Sequence, residues 1–574
     1  MSPENMSQEK RTMLALFLTM AVFLLWRTFF MPPLPPEQPA ESAPAAGAGE
    51  STAAPGSASV PSRSAATSTG PAWLRMPVRQ GTEAKDVVVE NDLYRVVFST
   101  QGAVVKSWVL KKYTQAEGEP LEVVNAAAGK EVGFPLSLRL EREGLTERVN
   151  EGIYVVEPAV DRFRVPSKLT FEFSDGVVRV RKTFTFDSSY LVEVDTSVSD
   201  DRASLPYEIR WPGGVGDHTV DESAIKQFSQ IVYGSSEDPE FEDSVDEEQR
   251  ITGQMELAGI TDRYFAAVFL PAPGRSSVHF LTSPWTPEDW GADGEETDED
   301  DKRQALEFAL GREEADAGPF RLFVGPKDIS VLRSVTPSLE KVVDFGWFGF
   351  LAWPLFDALR YTHDEVVSNW GWAIVLITIV VNMLLFPLKY KGLRSARAMQ
   401  KLAPRTKALQ DRYKQYKFND PKKQRMQQEM MALYKEHGVN PLGGCLPMLF
   451  QMPFFFAFYK VLYAAIELRQ APFVGWIQDL SEYDPYYILP VAMAGSMFLM
   501  QKMTPMPTAD PAQQRMMMLM PLFMGFFFFR LPSGLVLYWL VGSLVGIAQQ
   551  MALNRYLPAE QPAPGAKKQI TTKR

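Results

Sequence analysis

GWAIVLITIVVNMLLFPL, residues 371–388, is a run of 18 residues without a single charge. As a helix rising 1.5 Å per residue it covers about 27 Å, close to the hydrocarbon thickness of a bilayer. Immediately after it, residues 389–436 carry 14 lysines and arginines against Asp411, Asp420, Glu429 and Glu436. An apolar run that ends abruptly on a basic segment predicts a membrane span with that segment in the cytoplasm. Further apolar runs follow at 442–465, 487–500, 516–529 and 534–553. The loop 467–485 sets Arg469 against Glu467, Asp479, Glu482 and Asp484, so the same rule puts it outside. The runs 487–500 and 516–529 are short for a span, so they must borrow flanking residues or sit where the bilayer is thin.

Upstream, Lys10-Arg11 precedes the apolar residues 12–30. A cleaved signal peptide needs small residues just past its apolar core, and Trp26, Arg27, Phe29 and Phe30 occupy that place. The segment reads as an uncleaved anchor with a cytoplasmic N-terminus, which brings the expected spans to six. Residues 32–73 are nearly all Pro, Ala, Ser, Gly and Glu. They cannot bury apolar surface and read as a disordered tether. From about 80 to 335 the pattern changes to β-branched and aromatic runs bounded by turn residues: DVVVENDLYRVVFS (86–99), GAVVKSWVLKKY (102–113), GVVRVRKTFTF (176–186) and YLVEVDTSVS (190–199). Many strands without interleaved helices predict an antiparallel sandwich. Its acidic stretches, 237–248 and 288–301, read as solvated loops. After it, Phe348, Leu351, Leu355 and Leu359 step by three and four, as in an amphipathic helix lying at a membrane interface.

The fold class is therefore multidomain: an exported antiparallel β-sandwich plus an α-helical polytopic membrane domain with six transmembrane helices. The expected boundaries are an anchor at 1–31, a linker at 32–73, the sandwich at 74–335 and an interfacial helix at 336–368. A helical core at 369–558 contains a cytoplasmic hairpin at 389–438, and a basic tail fills 559–574.

The composition narrows the chemistry. The 574 residues carry a net charge of −10, which argues against DNA as a partner. A single cysteine, Cys445, excludes a disulfide framework, and the four histidines lie far apart without metal-ligand spacing. The chain has no GxxxxGK[ST], GxGxxG or GxSxG sequence, so neither a cofactor nor an enzymatic activity is expected. A membrane-anchored periplasmic carbohydrate-active protein remains an alternative, because large sandwiches host sugar sites, but no spaced acid/base pair supports it. A polar-solute transporter is a second alternative. The absence of intramembrane acids and of an inverted repeat counts against it.

Two sets of residues carry the functional reading. In the basic loop, Leu402, Thr406, Leu409, Tyr413 and Tyr416 form one helical seam, and Met426, Met430 and Leu433 form another. Asp420 is placed to cap the second helix, with Pro421 at its first position. The outer face of this hairpin carries Arg394, Arg397, Lys401, Arg405, Arg412, Lys422, Lys423 and Arg425. Such a face suits anionic lipids, and equally a ribosome or nascent chains. Within the spans, Thr378, Asn382, Gln451, Tyr538, Gln549 and Gln550 are polar residues with no charge relay. That pattern suggests either helix–helix hydrogen bonding or a wet cavity for polar segments.

NPLGGCLPMLFQMPFFFAFY (440–459), ELRQAPFVGWIQDLSEYDPYYILP (467–490) and LPSGLVLYWLVGSLVGIAQQ (531–550) resemble the bacterial YidC/Oxa/Alb family of membrane-protein insertases. Asn369-Trp370-Gly371, Phe386-Pro387-Leu388, QEMMALYKEHGVNP (428–441), TDRYFAAVFLP (261–271) and Val324-Gly325-Pro326-Lys327 extend the likeness over nearly the whole chain. The resemblance implies a protein of the bacterial inner membrane, with both termini cytoplasmic and a large periplasmic domain whose sandwich would be a supersandwich. It would insert and help fold nascent inner-membrane proteins, alone or with the Sec translocon, without nucleotide hydrolysis. It also implies a groove open to cytoplasm and lipid, lined by Thr378, Asn382, Gln451, Met452, Pro453, Tyr538 and Trp539. Members of the family commonly carry an arginine where this chain has Asn382, so a polar but uncharged groove is expected.

Overall fold

The computed structural model describes residues 76–556, apart from 116–117, 143, 220–228, 243–247, 273–274, 286–302, 313–317, 417–419, 440–445, 504–517 and 522–524. The expected anchor, linker and tail, the loop 288–301 and part of the run 516–529 lie outside the described residues. Two compact units divide at Gly325 and Pro326.

The first unit is built from three sheets, of nine, five and five strands. Leu191–Ser199 lies antiparallel to Arg179–Phe186, with Val194 opposite Phe184, and its residues alternate between buried and exposed as the sequence pattern requires. Phe98, on a five-stranded sheet, packs on Phe171, Phe184 and Phe186 of the nine-stranded one. Phe269 of the nine-stranded sheet meets Phe308 of the other five-stranded sheet. Trp108 and Trp211 join the two five-stranded sheets, with ring centroids 6.4 Å apart. The core is therefore an aromatic layer between one large sheet and two small ones. One pairing departs from the expected antiparallel pattern: Asp86–Glu90 runs parallel to Arg162–Arg164. A period of two residues fixes which face is buried, not which neighbour a strand takes.

Lys182 stands in this core at zero exposure. Its ammonium donates to the carbonyls of Gly102, Ala103 and Leu136 at 2.8, 3.1 and 2.7 Å. All three acceptors have left-handed backbones, with φ of 73°, 49° and 66°. Two of them are not glycine, so the lysine gathers carbonyls from conformations that cost about 1–2 kcal/mol per residue. Burial pushes Lys182 down to about 7. The three acceptors, which only the ammonium can satisfy together, oppose that shift.

The second unit is helical. Asp328 caps α1 (Ile329–Val335), accepting from the amides of Ser330 and Val331. Helix α2 (Gly349–Glu365) buries Ala352, Leu355, Phe356, Leu359 and Thr362. Leu355 and Leu359 belong to the stripe expected from the sequence. Trp347, Phe350 and Tyr361, at 84, 71 and 66% exposure, project outward on or beside the same helix.

Helix α3 (Trp370–Leu384) begins at Asn369, whose side chain accepts from the amide of Trp372 and donates to the carbonyl of Pro472 at 2.9 Å. Gly371 lies directly under the ring of Phe473, where an added Cβ would stand 2.0 Å from Cδ2. Helix α4 (Phe386–Arg412) continues from α3 after a bend of 54°. The expected boundary of the span was 388, but the break falls at Leu385. Pro387 has no amide to give the carbonyl of Met383, so a straight helix cannot pass. Helix α5 (Pro421–Glu436) starts at Asp420, whose side chain accepts from the amide of Lys422 at 2.8 Å. Then follow α6 (Leu446–Ala464), α7 (Ile488–Met503) and α8 (Ser533–Tyr556), with α8 packed on both α3 and α7.

Among the described residues, Ser533–Arg555 alone is by length and composition apolar and long enough to cross a membrane, and the bent pair α3–α4 passes jointly. Helix α7 is a shorter apolar helix.

Candidate functional site

The polar residues of the helical unit gather along one line of α8. Thr378 and Asn382, four residues apart on α3, share its buried face, with exposures of 0 and 1%. The hydroxyl of Thr378 donates to the carbonyl of Ile374 at 2.6 Å, so it is spent on its own helix. The Asn382 amide donates to the carbonyl of Thr378 at 2.8 Å. Gly542 of α8 faces this pair. A Cβ there would stand 3.6 Å from Asn382 Nδ2, so the helices approach closely while leaving ordinary contact room. Gln549, seven residues further along α8, donates to the backbone carbonyl of Asn382 at 3.2 Å.

Asn382 has a partner that the sequence reading missed. Lys389 reaches back across the bend and donates to Asn382 Oδ1 at 2.6 Å. The expectation of an uncharged groove at this point is thereby corrected, because a cation sits on the carboxamide. Residues seven apart lie two turns apart on one helical face, a spacing that could have flagged the pair. Lys389 was instead counted only among the charges of the cytoplasmic loop.

About 6 Å further up α8 from Gly542, four residues at 1.5 Å each, Tyr538 accepts from Gln451 of α6 at 2.7 Å. Tyr538 is 3% exposed and stacks on Phe458 with centroids 4.3 Å apart. Trp539 turns the other way, edge-on to Phe455 and Phe528. Met452 and Pro453 are half-buried on α6. The structure thus brings Thr378 with Asn382 and Gln451 with Tyr538, as two polar contacts strung along α8. Two carboxamide oxygens on this line, Gln451 Oε1 and Gln549 Oε1, are buried without a hydrogen-bond partner among the described residues. An unpaired buried acceptor costs about 1–3 kcal/mol, so both are points of polar demand.

In the hairpin, Leu402, Thr406 and Met426 are buried, whereas Leu409, Tyr413, Tyr416, Met430 and Leu433 are half-buried. Across the turn, Tyr413 donates to Glu429 at 2.9 Å, which raises the phenol above its ordinary range. The Lys422 ammonium lies 4.5 Å over the Tyr416 ring and bonds its hydroxyl, lowering that phenol. Arg394, Lys401, Arg405, Arg412, Lys422 and Arg425 are exposed. Arg397 is half-buried and donates to Asn554 of α8. The side chain of Lys423 lies outside the described residues.

Glu467 is half-buried beside Asp328, and its Oε2 has no hydrogen-bond partner among the described residues. Burial, assisted by the Asp328 charge, pushes this carboxyl up to about 7.

The sandwich holds a second polar cluster that the sequence did not disclose. Glu307, 1% exposed, accepts from Arg210 at 2.7 and 2.9 Å and from Arg139 at 2.9 Å. His279 Nδ1 lies 2.7 Å from Arg139 and 3.2 Å from Glu208, and its Nε2 lies 2.6 Å from Glu248. Each of these groups is bonded within the cluster, which makes it a strut of the sheet Gln249–Gln254, Arg275–Trp285, Arg303–Arg312, Tyr207–Trp211 and Leu138–Arg139. Among the described residues no group of three or more His, Cys, Asp or Glu is placed to hold a metal ion.

A family model described as the 60Kd inner membrane protein matches residues 362–560, and one described as the YidC periplasmic domain matches 86–358. The membrane protein insertase YidC of Geobacter metallireducens is 33% identical over 566 residues, 96% of this chain and 99% of the relative. That of Pelobacter propionicus is 34% identical over 571 residues, 95 and 99% of the two chains. Among solved structures, an active YidC insertase with its first transmembrane domain resolved covers 83% of this chain at 20% identity and a TM-score of 0.35. The assignment rests on the family models and the full-length relatives, which are insertases rather than enzymes. This chain belongs to the YidC family of membrane protein insertases.

Proposed function

We propose that the line of polar groups along α8 is the path by which this insertase admits the polar head of a client, whose apolar segment then passes into lipid. The observation that carries this reading is the pair of buried, unpartnered carboxamide oxygens, Gln451 Oε1 and Gln549 Oε1, on the polar line along α8. Moving an unsatisfied backbone group through hydrocarbon costs several kcal/mol. A seam of hydrogen-bond donors and acceptors lowers that cost, and partition of the client's own span, about 0.8 kcal/mol per buried CH₂, supplies the drive. No fuel is needed.

In this reading the chain spans the inner membrane six times, with both termini in the cytoplasm and the sandwich in the periplasm. The loop charges support that topology. The basic hairpin meets anionic lipid and the ribosome, and the tail 559–574 assists. Clients are nascent inner-membrane proteins, delivered directly or beside the Sec translocon. Met452, Pro453 and Trp539 supply the apolar wall. The test is to deplete the native protein from cells and follow protease protection of a small single-span client. Loss of insertion, restored by this chain but not by Gln451→Leu/Gln549→Leu, supports the reading. Full insertion without any insertase, or with the double variant, refutes it.

A further inference from the structure

The polar cluster of the sandwich joins the two edges of one sheet, the strands Gln249–Gln254 and Leu138–Arg139. His279 is its centre. It lies on Arg275–Trp285, opposite Arg250 of the first edge and Ala309 of the next strand inward, on the face away from buried Phe280. Six charged groups surround it. Glu248 and Arg250 come from the near edge, Glu208 from Tyr207–Trp211 and Arg139 from the far edge. Arg210 and Glu307 stand one contact further away, with Glu307 holding both Arg139 and Arg210. Arg250 lies 3.4 Å from Glu208. A guanidinium has donors only, so His279 Nδ1, 2.7 Å from Arg139, offers it a lone pair. The ring proton is then on Nε2 and donates to Glu248 at 2.6 Å. In that state Nδ1 and Glu208 Oε2, 3.2 Å apart, are two acceptors with no proton between them.

We propose that His279 is a proton-operated changeover in the sandwich, which fastens Arg139 when the ring is neutral and releases it for Glu208 when the ring is protonated. The inference concerns the sandwich alone and stands independently of the insertase reading. A proton from solvent binds Nδ1. The imidazolium then donates from Nδ1 to Glu208 and from Nε2 to Glu248, and both bonds become charge-assisted, roughly twice as strong as neutral ones. Arg139 loses an acceptor and faces a cation in its place, so its guanidinium withdraws towards Glu307, which already accepts from it at 2.9 Å. Acid therefore tightens Gln249–Gln254 through Glu248. It loosens Leu138–Arg139, a two-residue strand paired with Ile209 and Glu208. Histidine is the side chain whose charge ordinarily changes between about pH 5 and 8, so an excursion in that range operates the device. A loosened edge strand frees backbone donors and acceptors for another partner.

The test is hydrogen exchange of the full chain in detergent at about pH 8 and about pH 5.5, corrected for the intrinsic pH dependence of exchange. On acidification, peptides covering 249–254 should gain protection by roughly tenfold and those covering 138–139 should lose about as much, the worth of exchanging a neutral for a charge-assisted bond. His279→Gln keeps a donor and an acceptor but does not titrate, so both changes should vanish. Glu208→Gln removes the carboxylate that receives the new donor, and both changes should move to lower pH. The chain has four histidines, so nitrogen-labelled histidine gives few enough signals for magnetic resonance, with His279 assigned by its absence from His279→Gln. Its Nδ1 should be bare at the higher pH and protonated at the lower. Protection that ignores pH, or that changes as much in His279→Gln as in the wild type, overturns the proposal, as does a proton on Nδ1 at the higher pH. If His279→Gln does not accumulate, the wild type decides it: opposite changes at the two edges support the changeover, and parallel changes overturn it.

Discussion

Replacing Lys182 with methionine removes the ammonium that gathers three carbonyls in the core of the sandwich while keeping the volume of the side chain nearly constant. Each bond to a charged donor is worth about 1.5–3 kcal/mol, so the gross loss is roughly 5–9 kcal/mol. Relief from burying an ammonium returns several kcal/mol. What is not returned is the left-handed conformation of Ala103 and Leu136 (φ 49° and 66°), whose carbonyls lose the group they face. The net expectation is a destabilisation of about 3 kcal/mol, in the range of mutations that break a buried polar network. For a domain of this length that lowers the melting temperature by roughly 6–12 °C. Differential scanning calorimetry of the full chain in detergent measures it. Hydrogen exchange in peptides covering 100–106 and 134–139 localises it, since these segments should lose protection first. Lys168→Met, an exposed lysine on the neighbouring strand Ser167–Ser174, is the control and should shift the transition by about 1 °C or less. An unchanged melting temperature and unchanged exchange in Lys182→Met would refute the clamp: the cost of burying the charge would then cancel everything the three bonds contribute.

Three further outcomes follow from particular contacts. Glu467 has a folded pKa raised to about 7 by burial, so between roughly pH 4.5 and 7 the folded state holds more protons than the unfolded one, and stability falls as pH rises through that window. Glu467→Gln should remove that slope and raise thermal stability at pH 8, and a parallel pH profile in the two proteins would contradict it. Gly371→Val should lower the melting temperature of the helical unit by several degrees, at a cost of about 1–3 kcal/mol, because its Cβ would meet Phe473 at 2.0 Å; Gly371→Val with Phe473→Ala should recover much of it. For the topology, a cysteine at exposed Gln478 in a Cys445→Ser background should react with an impermeant thiol reagent added outside intact spheroplasts. One at exposed Gln415 should react only after lysis, and the reverse order would invert the chain in the membrane.

Much of this architecture could be read in advance because it is written in local pattern. The alternation in YLVEVDTSVS set the buried face of Leu191–Ser199, and Asp420-Pro421 marked the start of α5 through capping chemistry that needs only neighbours. The bend at Leu385 was foreseeable from Pro387, but the apolar run continues through it, and hydropathy alone extended the span to 388. What stayed hidden depends on convergence across long separations. Lys182 meets carbonyls 79 and 80 residues upstream, and Glu307 meets arginines 97 and 168 residues away. No periodicity encodes such meetings. Asn382 and Lys389 are a nearer case: their spacing permits contact, but whether the amine turns to solvent or back to the carboxamide depends on the bend between them.

That bend makes the hairpin a lever. Helix α4 extends 27 residues beyond the break, an arm of about 40 Å, whereas Lys389 lies only four residues, about 6 Å, from the pivot at Leu385. A tilt of about 10° that swings the far end of the arm by roughly 7 Å displaces Lys389 by about 1 Å. Such a shift carries the 2.6 Å contact with Asn382 past the roughly 3.2 Å limit of a hydrogen bond. The arm thus gears large motions at its cytoplasmic end down to the one scale on which a hydrogen bond is made or broken, and anything that leans on the hairpin also sets how firmly the ammonium is held.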